Sequence, residues 1–129
     1  MGPYKILNST FDRGFSVHPF IFIPKWTETQ GIENSYEAHE RTHCGRQKNF
    51  FYGLYWIGHY YVSKSFRFQE ETLAYITQVI TRLAPITKPS ERAFLKTQII
   101  SEYAGEMATE YRGMCTVDQA IKALSAGVP

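Results

Sequence analysis

Two cysteines, Cys44 and Cys115, are all that this chain of 129 residues carries. That is too few for a disulfide framework, and both are expected to be reduced thiols. No apolar run reaches the ~20 residues that span a bilayer, which excludes a membrane span. The start, MGPYKILNSTFDRGF, has no cationic stretch followed by an apolar core, so no secretory leader is read there. Ile6 stands where a myristoylation signal needs Ser or Thr, which excludes that anchor. Basic residues are scattered and the formal net charge is +2, too small to argue for nucleic acid or an anionic membrane as partner. There is no repeat and no low-complexity segment. These absences leave the expectation of a chain made and kept in a cytoplasm, or carried in an assembly built there.

What is present is enough for a core. The chain is 43% hydrophobic and 20% charged, a composition that folds. Aromatics make up 16% and give a small domain large side chains to bury. The expectation is one domain, residues 1–129.

Residues 3–30 read as short strands and turns. Pro19 and Pro24 bound the segment PFIFIPKW, Pro19–Trp26, and point to an edge strand. TETQGIENS reads as a loop. Asn34 with Glu37 reads as a capping box opening a helix that runs to about Tyr52, where Gly53 and Gly58 weaken it. LYWIGHYYVSKSFRF then reads as a helical turn and a loop. A second helix is expected over Phe68–Ala84, stopped by Pro85. A third runs from Pro89 to about Tyr111, with Gly113 as its stop. Thr116 with Gln119 opens a last helix ending near Ser125. Strands followed by helices predict an α+β fold with a small antiparallel sheet.

The chemistry lies in YEAHERTHCG, Tyr36–Gly45. On a helix, His39 and His43 stand one turn apart on one face and can aim two imidazole nitrogens at one point, which suits Zn2+. Glu40 is turned about 100° from His39. It flanks a metal without coordinating it and can act as general base. The bland alternative is a solvent-facing helix whose histidines bind nothing.

Zinc in a hydrolase takes a third protein ligand and keeps an open position. Arg46 and Asn49 occupy the places where one zincin pattern needs Gly and a third His, which excludes that pattern. A glutamate from a downstream helix is the other source. RFQEETLAYITQV supplies Glu71-x-x-Ala74-Tyr75, with Ala74 small enough to let two helices approach. Glu70 competes; a surface ion pair with Arg67 explains it otherwise, so Glu71 is preferred.

Together these residues resemble the gluzincin metallopeptidases, in their compact form the minigluzincins. HERTHCGRQ, the aromatic LYWIGHYYVSKSFRFQEETLAYITQ and EYRGMCTVDQAIKAL are similar to a family of small peptidase-like proteins of bacteria and their phages. The resemblance covers most of the chain after Glu37. It implies a zincin-like fold, His39, His43 and Glu71 as zinc ligands and Glu40 as catalytic base. It also implies that the strand Ile21–Lys25 lies beside the cleft, where a peptide substrate adds to a sheet edge.

Other side chains are weighed against simple packing. Tyr60, Tyr61 and Tyr75 can each donate to an oxyanion, Tyr75 best because it shares the face of Glu71. His59 is a further donor, or a core or surface residue. His18 is a turn residue, Cys44 a buried thiol rather than a ligand, and Arg41 lies about 200° from His39, toward solvent. Arg67 either orients a carboxylate or pairs with one on the surface. Trp26 and Trp56 are core.

Two functions follow. One is a zinc-dependent hydrolase, a metallopeptidase acting on a peptide or protein. The other is a structural or assembly protein, with phage particle proteins as partners, that keeps a zincin fold without cleaving anything. The intact Glu40 favours the enzyme, because a structural zinc has no use for it.

Overall fold

A computed structural model describes residues 4–9, 13–25, 27 and 33–129. Trp26 and most of the expected loop after it lie outside the described residues. The chain divides into two compact units, Met1–Val62 and Ser63–Pro129.

The first unit carries a three-stranded sheet of order β1-β3-β2, with β1 Lys5–Ser9, β2 Phe15–Val17 and β3 Phe20–Pro24. β1 pairs with β3 in parallel and β2 pairs with it antiparallel. The sheet is therefore mixed, which corrects the antiparallel reading. β3 is the central strand, which corrects the edge reading made from its prolines. The register explains why proline is tolerated there. The Lys5 N–H donates to the Pro19 carbonyl and the Lys25 N–H to the Ser9 carbonyl, so odd-numbered positions of β3 face β1. Pro24 is even-numbered and turns its nitrogen to the β2 side. β2 begins at Phe15 opposite Phe22, so no ladder bond is asked of Pro24. His18 and Pro19 form the turn between β2 and β3, as expected of His18.

Ile21 and Ile23 alternate onto one face of β3 and pack with the buried Cys44, flanked by Tyr4 and Tyr36. Cys44 belongs to α1, Glu33–Gln47. This helix already contains Asn34, which is helical and not a cap, and the Glu37 carboxylate is taken by Arg41 Nε at 2.7 Å. The expected capping box is therefore absent. α1 also stops five residues short of the expected end at Tyr52. Lys48 takes the left-handed φ of 66°, ending the helix, and Asn49 Oδ1 accepts from the Tyr52 N–H at 2.8 Å to open the next. That helix, α2, runs Phe50–Val62 straight through Gly53 and Gly58. The aromatic stretch read as a turn and loop is helix.

The second unit is helical. α3 spans Lys64–Leu83, longer at its start than expected because Ser63 Oγ caps it from the Phe66 N–H at 3.2 Å. α4 spans Pro89–Glu110 with proline in its first turn, and α5 spans Val117–Gly127 behind the Thr116–Gln119 capping box. Both follow the sequence reading closely. Tyr75, Val79, Leu83, Ile99, Tyr103 and Met107 lie in the core of this unit.

Candidate metal centre

α1 brings three buried groups together: His39, Glu40 and His43. The i,i+4 spacing places the two imidazole Nε2 atoms 3.2 Å apart. Two nitrogens bound to one tetrahedral zinc at about 2.0–2.1 Å stand about 3.3 Å apart. The donor pair therefore fits zinc without rearrangement. Glu40 Oε2 lies 3.9 Å from His39 Nε2, beside the nitrogen pair as the 100° offset requires.

The surroundings hold this arrangement firmly. A Cβ on Gly14, just ahead of β2, would stand 3.2 Å from Glu40 Cγ, so the glutamate chain packs directly on bare backbone there. Trp56 of α2 is buried with its ring 5.3 Å from that of His43, and Tyr60 stacks on Trp56 at 5.2 Å and meets the His43 ring edge-on at 6.4 Å. One turn past His43, the fully buried Gln47 accepts from the His18 N–H at 2.7 Å and donates to the Ser16 carbonyl at 3.0 Å. This clamp fixes α1 to the β2–β3 hairpin. Gly53 makes room for it: a Cβ there would stand 2.8 Å from Gln47 Oε1. Gln47 closes the HERTHCGRQ stretch and Gly53 marks a weak point in helix propensity, but spacing alone does not reveal that together they position α1.

Cys44 and Cys115 are free thiols. Cys44 points away from the histidine pair, with Sγ 3.6 Å from His18 Nδ1, and the same ring nitrogen lies 3.1 Å from the Cys44 carbonyl. Burial pushes its thiol up to about 11, Glu40's charge adds to this, and Arg41 opposes it. It is the buried thiol expected. Arg41 pairs with Glu37 and lies over the Tyr4 ring at 5.4 Å, clear of the metal-binding face.

Glu71 stands on α3, in the second unit, and is buried. Glu70 is also buried, at 1% exposure, so the surface ion pair used to set it aside does not hold. Arg67 is equally withdrawn, and its Nε donates to the Tyr111 carbonyl at 3.3 Å. Residues 67, 70, 71, 74 and 78 recur at helical spacing along one stripe of α3. Arg67, Glu70, Glu71, Ala74 and Gln78 are all buried there, next to the apolar stripe of Tyr75, Val79 and Leu83. Tyr75 belongs to that apolar core. Its hydroxyl donates to Glu106 Oε2 at 3.0 Å and lies 2.8 Å from the Tyr111 hydroxyl. Burial, with the charges of Glu106 and Glu71, drives the phenol well above its ordinary range. Its position is that of the packing residue the sequence also allowed. His59 lies half-buried on α2, with Tyr55 at 6.1 Å.

Comparison with protein-family models, curated proteins and solved structures gives no match for this chain. What can be said of the centre rests on its own geometry. A buried His-Glu-x-x-His cluster, carried by a helix behind a small mixed sheet, agrees with a zincin-like motif.

Proposed function

We propose that this chain is a zinc-dependent hydrolase of peptide bonds, of the gluzincin kind that the sequence resembles. His39 and His43 hold the metal, Glu71 of α3 is the third protein ligand, and Glu40 is the general base. The observation that carries this reading is the 3.2 Å separation of two buried Nε2 atoms with a carboxylate 3.9 Å from one of them. Bound there, zinc supplies Lewis acidity, polarising a carbonyl and easing the ionisation of water. Glu40 takes the water proton on Oε2 and passes it to the leaving amine. Its burial, with Gly14 at its back, keeps bulk water from competing for that proton. Tyr60, beside His43, supplies the hydroxyl for a developing oxyanion, because the Tyr75 hydroxyl is committed to Glu106 and Tyr111. β3 has strands on both sides, so an extended substrate would add to the outer edge of β2, which continues from Gly14 at Glu40.

Metal analysis and turnover test this together. Wild type should hold about one zinc per chain. His43→Ala should lose it, and Glu71→Ala should lose it while Glu70→Ala keeps it. Loss in Glu70→Ala alone would move the third ligand by one residue. Glu40→Gln should keep zinc and lower peptide turnover by about 10²–10⁴-fold. A second reading, an assembly protein of a phage particle that retains this fold, draws on the exposed aromatic face of α2. Under it, wild type and Glu40→Gln are equally silent on every peptide.

A further inference from the structure

We infer that α2 is a membrane-surface helix, which lays its outer aromatic face into the headgroup region of an anionic lipid bilayer. The inference rests on α2 and its flanks and does not depend on Glu40 being a catalytic base.

On a helix of 3.6 residues per turn, Gly53, Trp56 and Tyr60 fall within an arc of about 60°. This is the inward side: Gly53 and Trp56 are buried and Tyr60 is half-buried against Trp56. The opposite arc, about 140° wide, carries Phe50, Phe51, Leu54, Tyr55, Tyr61 and Val62. Phe51 is 82% exposed, Val62 83%, Tyr55 65% and Tyr61 62%. No Asp, Glu, Lys, Arg, Asn or Gln occurs anywhere in α2. Aromatic side chains offer about 150–250 Å² each. Exposed to this degree, the face exceeds the roughly 300–600 Å² of the largest apolar patch on an ordinary monomer.

Charge selects the occupant. From Arg41 to Gln69 the sequence holds five cations and not one carboxylate. Arg67 is buried and Arg41 is paired with Glu37, which leaves Arg46, Lys48 and Lys64 as the exposed charges flanking α2. Arg46 and Lys48 are exposed just ahead of α2, and Lys48 Nζ sits over the Tyr52 ring at 5.4 Å. The modest net charge of +2 conceals this segregation, because the acids are all placed elsewhere. An apolar face with a purely cationic approach matches an anionic bilayer: the rings enter the interface and the cations meet the headgroups. Tyrosine suits this, with an apolar ring and a wet hydroxyl. Two copies meeting on the same face would bring like-charged rims together, which disfavours self-association. At 13 residues α2 is too short to cross a hydrocarbon core and lies in the plane of the interface. No described helix is long and apolar enough to span a membrane.

Co-sedimentation of the full chain with vesicles tests this. Vesicles of equal parts phosphatidylcholine and phosphatidylserine should bind the protein. Phosphatidylcholine alone, or raised salt, should weaken binding about tenfold or more. Phe51→Ser and Val62→Ser should each weaken binding to the mixed vesicles about tenfold or more with melting temperature unchanged. Lys48→Gln should weaken it about fivefold. Leu73→Ser, an exposed apolar site on α3, should bind as wild type. No binding to the mixed vesicles would overturn the inference, as would binding that survives both Phe51→Ser and Val62→Ser. A lipid-free dimer in sedimentation velocity, abolished by the same two variants, would also overturn it and give the face to a second copy.

Discussion

Helices α2 and α3 follow one another with only Ser63 between them, and each inverts the usual rule in its own direction. α2 leaves Phe51, Tyr55, Tyr61 and Val62 in solvent. α3 withdraws Arg67, Glu70, Glu71 and Gln78 from it. Scattered exposed apolar residues are ordinary, and so are charges on a helix surface. A continuous apolar arc outside and a continuous polar stripe inside are not, because each costs free energy unless something compensates. In these two helices hydropathy is a poor guide to burial. In α3 the stripe carries the glutamate proposed as ligand. In α2 the arc carries the proposed lipid contact.

Mutations sharpen this contrast. The largest effect is expected in α3: Arg67→Ala removes a buried charged donor to the Tyr111 carbonyl and should cost about 2–3 kcal/mol in denaturant unfolding. A neutral outcome would mean that the stripe is not interior in solution, and the contrast would fail. The two glycines of α2 come next and should differ in sign. Gly53→Ala pushes a methyl against the buried Gln47 amide and should destabilise by about 1–2 kcal/mol. Gly58→Ala meets nothing within 4 Å and should stabilise by up to about 1 kcal/mol through helix propensity. Equal effects at the two positions would show that α2 does not turn its Gly53 face inward. The smallest change in stability is expected at Phe51→Ser, within about 0.5 kcal/mol, since the ring is already solvated. A large loss there would show that the face packs against protein.

The outcome at Pro24 marks one limit of sequence reading. Proline placed its strand at an edge, yet the missing N–H costs nothing in a central strand whose neighbour has already ended. Gly53 and Gly58 mark another. Glycine lowers helix propensity by about 1 kcal/mol. The actual break came one turn earlier, at Lys48, where a left-handed φ and the Asn49 cap outweighed propensity. The Asn34–Glu37 box failed because Glu37 had a better partner four residues on. Arg67, three residues before Glu70, suggests a surface ion pair, but the helix stripe that buries Glu71 buries both of them too.

What the sequence determined by itself is whatever depends on spacing along one element. The i,i+4 histidines converge because a helix brings them to one face, and Glu40 flanks them for the same reason. The Thr116–Gln119 cap and the Pro89 start are equally local. The tertiary structure decided what depends on neighbours distant in the chain. The strand order, the commitment of Tyr75 to Glu106 and Tyr111, the Gln47 clamp on the hairpin and the solvent-facing rings of α2 all belong here. Local spacing fixes which residues share a face. Only packing decides what that face meets, because burial is a property of the whole assembly of elements and not of any one of them.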